Sequence, residues 1–156
     1  MLGPIPRTRR HRHLLAAAVC CALLAPASIA WAVNTTTGTE GDDVTTLTAS
    51  IDYHHALSGN DTVDGGGSRD ELNGDDGNDT VRGGEGDDLL HGDAGDDTLW
   101  GDAGGDQLDG GTGNDTIRSY QGGRDVIDCG PGRDRVIAEQ KDRVKGNCED
   151  VHRLTR

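Results

Sequence analysis

The sequence predicts an all-β fold, a coil of 18 residues per turn whose short strands stack into two sheets. Three observations predict it. From Ala56 the chain reads in nines without a gap, as ALSGNDTVD, GGGSRDELN, GDDGNDTVR, GGEGDDLLH, GDAGDDTLW, GDAGGDQLD and GGTGNDTIR, ending at Arg118. Alternate units resemble each other more than neighbours do. GNDTV, GNDTV, GDDTL and GNDTI begin at residues 59, 77, 95 and 113, always 18 apart, so one coil holds two nine-residue half-turns. Within every unit position 8 is aliphatic, as Val63, Leu72, Val81, Leu90, Leu99, Leu108 and Ile117, and its neighbours at 7 and 9 are mostly polar. That alternation is the pattern of a strand with one buried face. Each half-turn is then a six-residue glycine-rich turn followed by a three-residue strand.

Residues 1–32 read as an export signal. Arg7, Arg9, Arg10 and Arg12 give a positive start, LLAAAVCCALLA an apolar run too short to span a bilayer comfortably, and Ala30-Trp31-Ala32 a small–x–small cleavage pattern. A short membrane anchor is the alternative. The Arg9-Arg10 pair points only weakly to twin-arginine export, because TRRHRH lacks the apolar residues expected after it. Cleavage near Ala32 would remove four Arg and no acid, taking the net charge from −13 to −17. Such a surface excludes nucleic acid and stable insertion into anionic membrane as partners.

Residues 33–55 are expected to form degenerate N-terminal capping turns. Asp43 and Asp52 continue the nine-residue step, but position 8 decays to Thr45 and His54.

Residues 56–137 hold the repeat proper. Composition alone argues for disorder: no Phe, few other aromatics, and nine acids against one base (Arg82) in 74–100. The order of the residues overturns that. Position 6 is Asp in all seven units, and position 4 is Gly except at Ser68. A flexible acidic linker has no reason to keep such spacing. A ten-residue unit, SYQGGRDVID, then carries Asp125 and Ile127, and CGPGRDRVI restores the frame with Asp134 and Val136. Glycine at positions 1, 2 and 4 opens dihedrals closed to other residues and lets carbonyls turn toward a common centre.

These units resemble the hemolysin-type calcium-binding (RTX) nonapeptide repeat, G-G-x-G-x-D-x-U-x. The resemblance implies a parallel β-roll with calcium ions along both edges, each between turns 18 residues apart. Asp61, Asp79, Asp97 and Asp115 would line one edge, and Asp70, Asp88 and Asp106 the other, with Asp125 and Asp134 continuing the rows. Turn backbone around Gly59, Gly74, Gly77, Gly83, Gly86, Gly92, Gly95, Gly101, Gly104, Gly110 and Gly113 would supply carbonyl oxygens. Carboxylates and carbonyls are the hard ligands that Ca²⁺ takes six to eight at a time, so roughly five to seven ions are expected, each held weakly. The thin core and dense like charge make metal binding largely the folding energy. The implied function is a secreted calcium-binding protein that folds outside the cell.

Residues 138–156 are expected to form a C-terminal cap. The DRV of 134–136 recurs at 142–144, which suggests a final strand. In an exported chain Cys129 and Cys148 read most simply as one disulfide, with metal binding by two lone cysteines the weaker alternative. That disulfide would tie the segment over the open end of the roll.

The roll places outward residues in columns. Thr62, Thr80, Thr98 and Thr116 form one, read as good β-surface packing rather than an ice-binding face. Asp64, Arg82, Trp100 and Arg118 form its neighbour, where a guanidinium can lie over the indole. The NDT acceptor pattern at Asn60, Asn78 and Asn114 recurs with the repeat and carries little independent weight. His54, His55, His91 and His152 are scattered, with no Ser/His/Asp order or zinc spacing. No EF-hand loop, P-loop or dinucleotide fingerprint is present, and the chain reads as a non-enzyme. A hydrolase or toxin is the less favoured class, because the repeats leave no room for a catalytic domain. An adhesion or matrix module, binding a protein or glycan through one sheet, is compatible with calcium binding.

Overall fold

The computed structural model describes residues 33–155; the expected export signal and its cleavage point near Ala32 lie outside them. Fourteen strands follow in chain order: β1 (Val33–Thr37), β2 (Val44–Thr46), β3 (Ile51–His55), β4 (Thr62–Gly67), β5 (Glu71–Asn73), β6 (Thr80–Glu85), β7 (Leu89–His91), β8 (Thr98–Ala103), β9 (Gln107–Asp109), β10 (Thr116–Ser119), β11 (Val126–Asp128), β12 (Arg135–Glu139), β13 (Arg143–Val144) and β14 (Asp150–Leu154). The described residues contain no helix.

The odd strands form one parallel sheet in the order β1-β3-β5-β7-β9-β11-β13, and the even strands the other, β14-β12-β10-β8-β6-β4-β2. Each strand therefore pairs with the one a full coil away, in a two-sheet parallel solenoid of seven coils. The register is the 18-residue step itself: Val63 faces Val81, Val81 faces Leu99 and Leu99 faces Ile117. On the other sheet Leu72, Leu90 and Leu108 align likewise, and Ile127 follows Leu108 after the ten-residue unit. The position-8 side chains are buried between the sheets and form one continuous core. Each side chain has only a neighbour above, a neighbour below and the facing sheet, so stability passes from coil to coil.

The segments outside the repeat stack on the same two sheets, with the 18-residue step kept at the N-terminal end and shortened at the C-terminal end. Residues 33–55 form coils whose strands pair in step, His54 with Leu72 and Thr45 with Val63. His54 is fully buried in the core column, where its Nδ1 pairs with the Thr36 hydroxyl at 2.8 Å. The chain after the repeat adds a further coil: β13 continues the odd sheet from β11, and β14 the even sheet from β12. The Cys129–Cys148 disulfide, with Cα atoms 5.3 Å apart, ties this coil to the one before it.

On the outer face of the even sheet Trp100 stands in register between Arg82 and Arg118. The Arg118 guanidinium lies 4.3 Å from the ring centroid, and that of Arg82 5.8 Å. Tyr120, which the repeat frame does not place there, meets the indole edge-on with centroids 6.3 Å apart.

Candidate metal sites along the two edges

Every position-6 aspartate sits where a turn enters a strand and is almost completely buried: Asp61, Asp70, Asp79, Asp88, Asp97, Asp106, Asp115, Asp125 and Asp134 are all at most 2% exposed. Burial of a lone carboxylate is costly unless its oxygens are satisfied. One oxygen of each is. The backbone N–H of Asp61 donates to Asp79 Oδ1 at 2.7 Å, that of Asp79 to Asp97 Oδ1 at 2.7 Å, and that of Asp97 to Asp115 Oδ1 at 2.9 Å. On the other edge Asp70, Asp88 and Asp106 donate in turn to Asp88, Asp106 and Asp125 at 2.9–3.0 Å. Two ladders of aspartates thus run the length of the roll, one on each edge.

The second oxygen is not satisfied. Oδ2 of Asp61, Asp70, Asp79, Asp88, Asp97, Asp106, Asp115, Asp125 and Asp134 is buried with no hydrogen-bond partner. Buried carboxylate oxygens without a partner, in two regular columns, are the chemistry that suits a hard cation.

Glycine makes room beside these oxygens. A Cβ on Gly74 would come within 2.6 Å of Asp79 Oδ2 and 2.9 Å of the Gly92 carbonyl one coil on. A Cβ on Gly110 would meet Asp115 Oδ2 at 2.5 Å and the Cys129 carbonyl at 2.6 Å. Gly83, Gly92 and Gly101 stand in the same relation to Asp88, Asp97 and Asp106. Carboxylate and carbonyl oxygens therefore converge where position 1 has no side chain. At position 4 a Cβ on Gly77, Gly86, Gly95, Gly104 or Gly113 would collide with a backbone carbonyl of the preceding coil. Gly59 is held against Gly41 and Asp42 in the same way. Asp61, Asp125 and Asp134 differ, since Ala56, Ser119 and Cys129 stand at position 1 of their units. Among the described residues no three His, Cys, Asp or Glu side chains converge as a metal cluster. A cation here would draw many of its ligands from the backbone, as an oxygen-loving ion such as Ca²⁺ does.

At the ends of the ladders other protein groups take part: donors at the N-terminal end, where Asp52 Oδ1 still stays buried without a partner, and acceptors at the C-terminal end. Asp43 Oδ2 accepts from the Thr39 N–H and hydroxyl, and Asp52 Oδ2 from the Thr48 N–H and hydroxyl. At the other end Asp142 Oδ1 accepts from the Asp125 N–H at 3.2 Å and Glu149 Oε2 from the Asp134 N–H at 2.9 Å. Asp142 Oδ2 in turn accepts from the Glu139 N–H at 2.6 Å. Sequence reasoning did not place Asp142 and Glu149 on the ladders. The recurrence of DRV was the available signal for Asp142; Glu149 follows a shortened connection and left none.

A second ladder lies outside the first. The N–H groups of Asn78, Asp96 and Asn114 donate to the side-chain oxygens of Asn60, Asn78 and Asp96. The recurring NDT is thus explained by a backbone-satisfying role of its Asn.

Burial, with neighbouring carboxylates adding to it, pushes Asp70, Asp97 and Asp106 up to about 7, and Asp79, Asp88, Asp115 and Asp125 up to about 6. Asp134 is raised for the same reason. These groups keep a proton in the folded roll that the unfolded chain releases near pH 4. Their support for the metal-free roll is therefore greatest in acid and is lost as pH rises through 6–7. His54 works the other way: burial lowers its pKa, so acid charges it in the unfolded chain first and opposes the first coils. With many aspartates against one histidine, calcium-stripped chain should show more β-structure by circular dichroism at pH 5 than at pH 7.5, and its calcium midpoint should be higher at pH 5. Order that instead grows with pH in stripped protein would contradict the assignment.

Residues 48–81, 55–90 and 82–117 match the family model of the RTX calcium-binding nonapeptide repeat (4 copies). The chain has no match among curated proteins and none among solved structures.

Proposed function

The chain carries RTX calcium-binding nonapeptide repeats, and from that premise we propose that it is a secreted calcium-binding protein whose roll closes around Ca²⁺ outside the cell. The observation that carries this reading is the pair of columns of buried, unpartnered Oδ2 atoms. Asp61, Asp79, Asp97 and Asp115 on one edge, and Asp70, Asp88 and Asp106 on the other, are the ligands, joined by turn carbonyls at the glycine positions. Asp125 and Asp134 extend the rows with a Cβ at position 1 beside them. Bound Ca²⁺ supplies the positive charge that lets these carboxylates stay ionised and buried at neutral pH. The protein's own part is to aim them: the N–H ladder fixes each Oδ1 and so turns each Oδ2 inward. Roughly five to seven ions are expected, individually weak, in keeping with extracellular calcium sites.

The localisation rests on the Arg-rich, apolar, small-residue pattern of residues 1–32 and on the disulfide, which persists in oxidising compartments. In the low-calcium cytoplasm the same chain would remain unfolded, which suits export. The repeats suggest no catalytic role. Residues 33–55 and 138–156 act as the two caps: Thr39 and Thr48 donate to Asp43 and Asp52 at one end, and Asp142 and Glu149 accept the last ladder N–H groups at the other.

The caps and the centre should respond differently to substitution. Asp97→Asn keeps an oxygen for the Asp79 N–H but replaces the ligand oxygen. It should weaken its site about tenfold or more and raise the calcium midpoint of folding. Asp52→Asn, where Thr48 already serves one of the two oxygens, should move the midpoint by no more than about twofold, as expected of a peripheral coil. Calcium titrations followed by circular dichroism and calorimetry would show this. Equal shifts for the two variants would mean that Asp52 is a ligand like the rest.

A further inference from the structure

We propose that the outer face of the even sheet, centred on Arg118 and Trp100, binds an anionic polysaccharide. The face is present only when the roll is formed, so this inference rests on the calcium reading for its conditions but not for its chemistry.

The acids of the chain are concentrated at the turns and edges. On this face the column at position 9 runs Asp64, Arg82, Trp100, Arg118, Ile137 and His152 through β4 to β14. The charge of Arg82 is already committed to Asp102. Arg118 forms no ion pair among the described residues, and its Nε is buried without a hydrogen-bond partner. Arg135, exposed on the next strand beside Thr116, has no ion pair either, although Asp150 follows it in register. Two guanidiniums outside any ion pair therefore stand on adjacent strands of this face.

Arg118 is also pre-organised. Its guanidinium rests on the indole of Trp100, which Tyr120 meets edge-on. A planar fork held in this way loses little further freedom when it binds a carboxylate or sulfate. Guanidiniums approach Trp100 from both neighbouring strands, so the ring is not offered for stacking on a sugar. What the cluster offers is the charged edge of Arg118.

The neighbouring column favours a polysaccharide over an acidic peptide. Thr98 and Thr116 stand in register beside Trp100 and Arg118, and Thr62 and Thr80 continue the row. Their hydroxyls make no hydrogen bond among the described residues. They repeat at about 4.8 Å, the strand spacing, as a line of donors and acceptors suited to sugar hydroxyls. An extended peptide gains most of its affinity by pairing main-chain groups with a sheet edge. On a sheet face those groups are already used, and the peptide's own N–H and C=O would find few partners.

The test uses the chain in millimolar calcium, with roll formation verified by circular dichroism, titrated calorimetrically with dextran sulfate, uncharged dextran and poly-glutamate. Dextran sulfate should bind, and the other two should bind at least about tenfold more weakly. Arg118→Gln with Arg135→Gln should cost about tenfold or more in affinity without changing the circular dichroism. Thr98→Val with Thr116→Val should cost a smaller factor, and Arg82→Gln little. A formed roll that ignores dextran sulfate overturns the site and leaves the calcium reading standing. Binding that survives the double arginine variant is calcium bridging at the acidic edges, and overturns it too. Tighter binding of poly-glutamate makes the partner an acidic protein. A chain that stays unordered in calcium overturns the calcium reading and removes the face with it.

Discussion

Gly77→Ala should abolish the roll at every calcium concentration that folds the natural chain. Gly77 has φ +145°, a conformation that side-chain-bearing residues rarely adopt. Its α-carbon also packs against the preceding coil so closely that an added Cβ would collide with the carbonyl oxygen of Gly59. The obstacle is backbone, not a flexible side-chain end, so it cannot swing aside. The Gly77 N–H meanwhile donates to Ala94 O at 2.8 Å, and the Asp79 carboxylate that follows bonds the Asp61 N–H. Opening the gap between coils to admit one methyl would break this bonding and misplace the Oδ2 that follows. Because each coil rests only on its neighbours, a break in the middle divides the array into two short stacks. Far-UV circular dichroism across a calcium titration would reveal the loss. A variant that folds with an unshifted midpoint would show that the coils are less tightly stacked than described.

Ser68 shows how much of this constraint falls on the side chain's surroundings. It occupies position 4 with φ +77°. Its hydroxyl donates to Ala49 O at 3.0 Å, near the N-terminal end where the neighbouring coil is less regular. The same replacement at Gly77 has no such outlet.

Much of this arrangement was legible from the sequence because a solenoid is nearly one-dimensional. Once the 18-residue step is read, it fixes which residues are neighbours, and Asp79 must stand next to Asp61 and Asp97. Position 8 gives the core directly, since strand alternation leaves an aliphatic residue only one direction to point. Legibility failed where the step changes length. The shortened connections near the C-terminus hide Asp142 and Glu149, which bond to residues 17 and 15 positions away instead of 18. In the nine-residue frame His54 reads as decay of the core column. It is instead a core residue whose polar atom pairs with Thr36, a compensation invisible without the coil above. The finishing of Asp43 and Asp52 by Thr39 and Thr48 was likewise hidden, because a threonine in an irregular turn has no period to betray it.

The second large effect is that of calcium itself. The ladders bury nine carboxylates whose Oδ2 atoms have no protein partner, and burial already drives most of them toward holding protons at pH 6–7. At neutral pH, without a cation, they must either take up protons or repel one another across each coil step. The core, one small aliphatic side chain per half-turn, is too thin to hold them together. The measurement that tests this most directly is the far-UV circular dichroism and hydrodynamic radius of the purified chain at pH 7.5, first in millimolar calcium and then after excess EDTA. The compact β spectrum in calcium should collapse to that of an expanded, disordered chain on chelation and return when calcium is restored. A chain that remains compact and β-structured in excess EDTA would contradict the account, because the buried aspartates would then be satisfied without a metal.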